Sequence, residues 1–197
     1  ELLDRDSRPV PDVLRIDKAA FLGDHDIPID RYLDPKFHDL EKEKLWKKVW
    51  QATIREERIP HVGDAETYEI NDISILIVRT APDTIKGFYN ACLHMGRQLV
   101  DRPCNMQEIR CPYHGFTWQT DGKLKHIPSM WDFPHVDVKK FNLPEVKVAT
   151  WGGFVFINMD PKCQPLEAFL GDLNIHFEKY PLSERYTAVH VVKVIRS

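Results

Sequence analysis

Asn90-Ala91-Cys92-Leu93-His94-Met95-Gly96-Arg97-Gln98-Leu99 and Cys111-Pro112-Tyr113-His114-Gly115-Phe116-Thr117-Trp118 each set a cysteine, a histidine and a glycine close together. Thiolate and imidazole are the natural donors for zinc and for iron-sulfur chemistry. Sixteen residues, Met95 to Arg110, separate the two pairs. Common zinc spacings join Cys to Cys and His to His, whereas each half here joins Cys to His. A mixed set of this kind suits a 2Fe-2S cluster in which one iron takes two cysteines and the other two histidines. Glycine follows the histidine in each half, directly as Gly115 and one residue later as Gly96, so tight loops can carry backbone amides towards bridging sulfides. Zinc needs no such loops, and a structural zinc module is the weaker alternative.

These residues resemble the Rieske domain of ring-hydroxylating oxygenase α subunits. Further matches lie downstream, in the turn Asp121-Gly122-Lys123-Leu124 and in the run Trp151-Gly152-Gly153-Phe154-Val155-Phe156-Ile157-Asn158, which resembles the family's closing strand. The resemblance spans residues 30 to 195. It implies that Cys92 and Cys111 bind one iron and His94 and His114 the other, with the histidines nearest solvent. It also implies a mainly β chain with the Rieske iron-sulfur fold of small antiparallel sheets and two cluster-binding loops, plus an N-terminal helix and a helix near the C-terminus. Met95 stands where many members carry arginine, so charge-based donor docking does not transfer to this chain. Respiratory Rieske proteins carry an extra cysteine in each loop, at positions held here by Arg97 and Tyr113, and a serine near a bridging sulfide where this chain has Phe116. Fewer donors to sulfur leave the reduced cluster less stabilised, placing it low in the Rieske span of roughly −150 to +300 mV.

Composition narrows the partners. The chain has 197 residues, 43% of them hydrophobic, enough for one sizeable core. The net charge of −3 comes from mixed signs without a long basic block, which argues against a nucleic-acid partner. The longest apolar run, around Gly153 to Met159, is too short to span a bilayer, and no signal peptide opens the chain. A soluble, cytoplasmic protein with no membrane association is expected. Cys104 and Cys163 read as free thiols, although spacing alone permits a bridge between them.

The pattern along the chain divides it into three parts. Residues 1–50 comprise an extended Asp-, Arg- and Pro-rich arm through residue 33, then a helix starting at Pro35 behind Asp34 as its cap, with a Glu43–Lys47 pair on one face. The arm is of the kind that reaches a neighbouring subunit. Residues 51–160 form the Rieske domain, with strands expected at 66–70, 73–79, 85–90 and 146–159 and turns at Asn71-Asp72 and Asp121-Gly122. Residues 161–197 supply a bridging helix over 165–180 and an alternating strand at 186–195, read as the first strand of a truncated catalytic domain.

No catalytic residue is expected in this chain. Asp172 and His176 are four apart, but no second histidine follows until His190, so the mononuclear Fe(II) site of the resembled family belongs to the part that would follow. Tyr113, Phe116 and Trp118 read as packing around the cluster, and Met130-Trp131 as a third loop shielding it. His126, His135 and His190 read as ordinary histidines. The resemblance implies an oxidoreductase: the electron-transfer portion of a dioxygenase or monooxygenase acting on an aromatic or other apolar ring compound. A ferredoxin or reductase would donate electrons, and a trimer-based homo-oligomer would bring each cluster to a neighbour's iron. A stand-alone Rieske ferredoxin is the rival. The 45-residue lead before the first strands and the unpaired terminal strand favour the oxygenase.

Overall fold

The computed structural model describes residues 3–5, 7, 9–10 and 23–195, so most of the expected N-terminal arm lies outside the described residues. The chain divides after His38 into two units. In the first, Asp30–Leu33 makes a short helical turn (α1) where an extended arm was expected, and Asp34 caps the next helix by accepting the Lys36 amide at 2.9 Å. That helix, Pro35–Glu41 (α2), widens into a π-helical turn at Lys42–Trp46, so the expected helix ends before Trp50. The Glu43–Lys47 pair forms at 2.5 Å across one turn.

Ten strands build the second unit: β1 Gln51–Arg55, β2 Asp64–Ile70, β3 Ile73–Ala81, β4 Thr84–Tyr89, β5 Cys104–Asn105, β6 Glu108–Arg110, β7 Thr117–Gln119, β8 Leu124–His126, β9 Glu145–Trp151 and β10 Phe154–Asn158. Seven pair antiparallel in the order β1-β10-β9-β4-β3-β2-β5, and three form a small sheet β6-β7-β8. Asn71, in the left-handed region at φ 54°, turns β2 into β3. Asp121-Gly122 turns β7 into β8. The expected strand 146–159 is a hairpin instead, broken by Gly152-Gly153.

The long strand β3 explains how one sheet serves two cores. Side chains alternate across a strand, and here Leu76 and Val78 enter a core with Phe88, Trp118, Cys92 and Cys111, while Ile75 and Ile77 enter a second with Val155 and Ile157. The small sheet closes over the first core, where Trp118 is wholly buried and donates its indole N–H to the Phe141 carbonyl at 2.9 Å.

Two expectations fail towards the C-terminus. Residues 165–180 form two short helices, Leu166–Leu170 (α3) and Leu173–Phe177 (α4), because Gly171 at φ 53° interrupts the single helix that the apolar spacing suggested. Leu166 and Leu170 bury against Trp50 and Phe156. Residues 186–195 alternate in sequence but form no strand, and Val194 and Ile195 stand about 85% exposed. A strand needs a neighbour to satisfy its backbone groups, and none among the described residues lies beside this segment. Cys104 and Cys163 are both free thiols. No described helix is long and apolar enough to cross a membrane.

Candidate metal centre

Two loops project from the first core, and their backbones close in the same way. In the first, the Cys92 amide donates to the Arg97 carbonyl at 2.8 Å and the Gly96 amide to the Cys92 carbonyl at 2.8 Å. In the second, the Cys111 amide donates to the Phe116 carbonyl at 2.8 Å and the Gly115 amide to the Cys111 carbonyl at 3.1 Å. Each closure needs a left-handed residue, supplied by Gly96 at φ 71° and Gly115 at φ 76°. The glycines noted in the sequence therefore do the same work in two copies of one loop.

The loops sort their side chains by depth. Cys92 and Cys111 are each 3% exposed at the base, whereas His94 is half-buried and His114 exposed. The two cysteines are neighbours, and the His94 and His114 rings meet edge-to-face with centroids 4.8 Å apart. Burial pushes the Cys92 thiol up, against the backbone amides of His94 and Met95, which point at its sulfur and stabilise the thiolate. Metal binding would draw off that proton, so assembly of the site is coupled to proton release.

The arrangement is one of pairs. A tetrahedral zinc site needs four donors around one point, whereas a binuclear cluster takes two cysteines below and two histidines above. Two buried cysteines beneath two adjacent histidines supply the donor types that the second takes.

An aromatic shell surrounds the pairs. Phe116, buried, stacks on His94 at 4.6 Å with planes 5° apart, and Phe133 meets both rings edge-on at 5.7 and 5.3 Å. Tyr113 stacks on His114 at 3.8 Å. Beside His94 a cavity of about 270 Å³ is floored by Phe116, Phe133 and Phe141. At the position expected for a third loop, Ser129 turns at φ 52° into a short helix, Met130–Asp132, and Met130 packs on the core that holds both cysteines. Trp131 points away, 80% exposed.

One residue the sequence reading passed over holds the first loop. Asn90, 2% exposed, donates to the Val100 carbonyl at 2.6 Å and to the Ser74 hydroxyl at 2.9 Å. Its carbonyl oxygen accepts the Leu99 and Val100 amides at 3.2 and 3.0 Å. Both ends of the loop are thereby tied to one side chain. Its position just ahead of the first cysteine was the available signal, but nothing in the spacing says where its amide points.

Comparison with known proteins follows the same lines. The Rieske 2Fe-2S domain family matches residues 49–142. The chain carries a Rieske 2Fe-2S domain. The carnitine monooxygenase oxygenase subunit of Escherichia coli (strain K12) is 34% identical to it over 142 residues, 72% of this chain and 38% of that one. The 2-aminobenzenesulfonate 2,3-dioxygenase subunit alpha of Alcaligenes sp is 30% identical over 164 residues, 78% of this chain and 42% of that one. A crystal structure of a quaternary ammonium Rieske monooxygenase with an inhibitor superposes at a TM-score of 0.76, with 25% identity over 83% of this chain and 46% of that one. The chain thus spans about two fifths of the length of these relatives and corresponds to their N-terminal portion. The relatives are named as monooxygenase and dioxygenase subunits, which are oxidoreductases.

Proposed function

We propose that the Rieske domain of this chain is the electron-input portion of an oxygenase subunit, with Cys92 and Cys111 holding one iron of a 2Fe-2S cluster and His94 and His114 the other. The observation that carries this reading is the pair of identically closed loops, with buried cysteines below and outward histidines above. When bound, the cluster supplies one-electron transfer. The chain's own residues do the rest. The amides of His94 and Met95 stabilise sulfur charge, Phe116 and Phe133 exclude water from one histidine, and His114 presents a solvent-facing edge. Electrons would enter and leave along that imidazole edge, from a ferredoxin or reductase and towards a mononuclear non-haem iron carried by the rest of the subunit. A trimer-based assembly, supplying that iron from a neighbouring subunit, belongs to the same reading, as does a cytoplasmic location.

The substrate has two readings. The motif resemblance points to an aromatic or other apolar ring compound. The 34% identity to a carnitine monooxygenase subunit supports a quaternary ammonium compound as the second reading. Both keep the same role for this chain. Electron paramagnetic resonance of the dithionite-reduced protein tests the centre: a Rieske-type signal is expected, and bound metal without that signal would refute it. His94→Ala or His114→Ala should abolish the signal. Oxygen consumption by the full-length protein with carnitine, glycine betaine, benzoate and naphthalene separates the substrate readings.

A further inference from the structure

The glycine pair Gly152-Gly153 does more than turn β9 into β10. A Cβ on Gly152 would lie 3.0 Å from the Leu182 Cβ, and one on Gly153 would lie 2.6 Å from Arg55 Nη2 and 3.3 Å from the Ser183 Cα. Both glycines sit at positive φ, 58° and 80°. Their missing side chains leave a track, and residues 182–185 lie in it.

Arg55 fastens the segment there. Its Nη2 donates to the Leu182 carbonyl at 3.1 Å and to the Arg185 carbonyl, while its guanidinium lies over the Phe154 ring at 4.6 Å. Arg55 Nε is buried without a hydrogen-bond partner, 3.8 Å from the Glu57 carboxylate. Glu57 in turn accepts the Thr187 amide at 2.8 Å. A cation thus grips two carbonyls and an anion grips an amide, both on the same departing chain, both from the β1 corner. Past Thr187 the described residues have no strand neighbour, and the valines there are exposed. The grip ends where that segment begins.

We propose that Arg55 and Glu57 form a clasp that sets the direction in which the chain leaves the Rieske domain, and so holds whatever follows at a fixed angle to the cluster. The functional half of this proposal rests on the reading of the domain as the electron-input part of a longer oxygenase subunit. Arg55 and Glu57 are positioning residues: neither touches the ligand loops. Transfer between fixed centres is sensitive to their placement. A planar guanidinium reaching two carbonyls is suited to this task, because its fork is rigid where an ammonium is a single flexible point.

The test uses the full-length subunit carrying Arg55→Ala, Glu57→Ala or Arg55→Lys. Amide hydrogen exchange at Arg185 to Thr187 should accelerate about tenfold or more in both alanine variants. The thermal midpoint of the Rieske core should stay unchanged in Glu57→Ala, and the resonance spectrum of the reduced cluster should stay unchanged in every variant that folds. Reoxidation of the reduced cluster on mixing with dioxygen and the panel compound that the wild type consumes, a loss of one electron per cluster, should slow by about tenfold or more. Arg55→Lys, which keeps the charge and one donor, should restore part of that rate. Unchanged exchange would overturn the clasp, and faster exchange with unchanged reoxidation would overturn its positioning role. A wild-type protein without a Rieske signal would instead refute the electron-input reading, and the exchange measurement would still decide whether the clasp exists. Should Arg55→Ala fail to fold, Glu57→Ala, at an exposed carboxylate, carries the same comparison.

Discussion

Residues 92–97 and 111–116 make the same loop, yet the two are held by different means. The second is the turn of a hairpin, with Arg110 opposite Thr117 and the β6-β7 ladder running from its base. The first joins β4 to the distant β5 and has no ladder of its own. Asn90 replaces that ladder, its single amide group satisfying two backbone amides and one carbonyl at the loop's ends. The histidines differ in the same sense. His94 is wedged between Phe116 and Phe133, whereas His114 has Tyr113 on one face and solvent nearby. A symmetric cluster scheme can therefore rest on one loop built by strand pairing and one built by a side chain.

Four outcomes probe that contrast. Cys92→Ser and Cys111→Ser should act equally despite the different supports, each abolishing the 2Fe-2S absorption and resonance signals, since each removes one of the two thiolates on the same iron. A partial signal in one variant alone would break the equivalence. Asn90→Ala should destabilise the domain by about 3 kcal/mol in denaturant titration, because the Leu99 and Val100 amides lose the side-chain oxygen they donate to. Thr117→Val, which removes the hydroxyl that donates to the Gly115 carbonyl at 2.9 Å beside the second loop, should cost about 1 kcal/mol, since the hairpin ladder remains. Equal losses would mean that Asn90 has no special role.

The smallest effect concerns acid. Hydrogen bonds from Lys125 and Lys123 hold Glu108 and Asp121, around the second loop's sheet, below the usual carboxylate range. A lowered folded pKa stabilises above the ordinary carboxyl range and is lost as pH falls through it. Stability should decline slightly below about pH 4, and Glu108→Gln with Asp121→Asn should flatten that decline in thermal melts. These are surface pairs, so the effect is small.

Much of the centre was legible. The Cys-His pairing, the glycines at the left-handed corners and the turns at Asn71 and Asp121-Gly122 are local chemistry, visible in a few adjacent residues. The β9-β10 hairpin reads in the sequence as one strand because its apolar residues run through a glycine pair that also reads as a bulge. The apolar spacing over 165–180 suggests one helix because it continues across Gly171, where the backbone breaks. Residues 186–195 show strand alternation, but a ladder depends on a neighbour and not on composition.

By itself the sequence determined the two Cys-His pairs, their order and the loops that present them, because glycine and turn residues act within a few residues of the chain. Tertiary structure alone decided which histidine is sheltered, since Phe133 reaches His94 from far along the chain. It also decided that Asn90 substitutes for a ladder and that Arg55 meets residues 182–185 across the Gly152-Gly153 track. Those contacts join residues distant in sequence, and only the folded sheets bring them within hydrogen-bonding range.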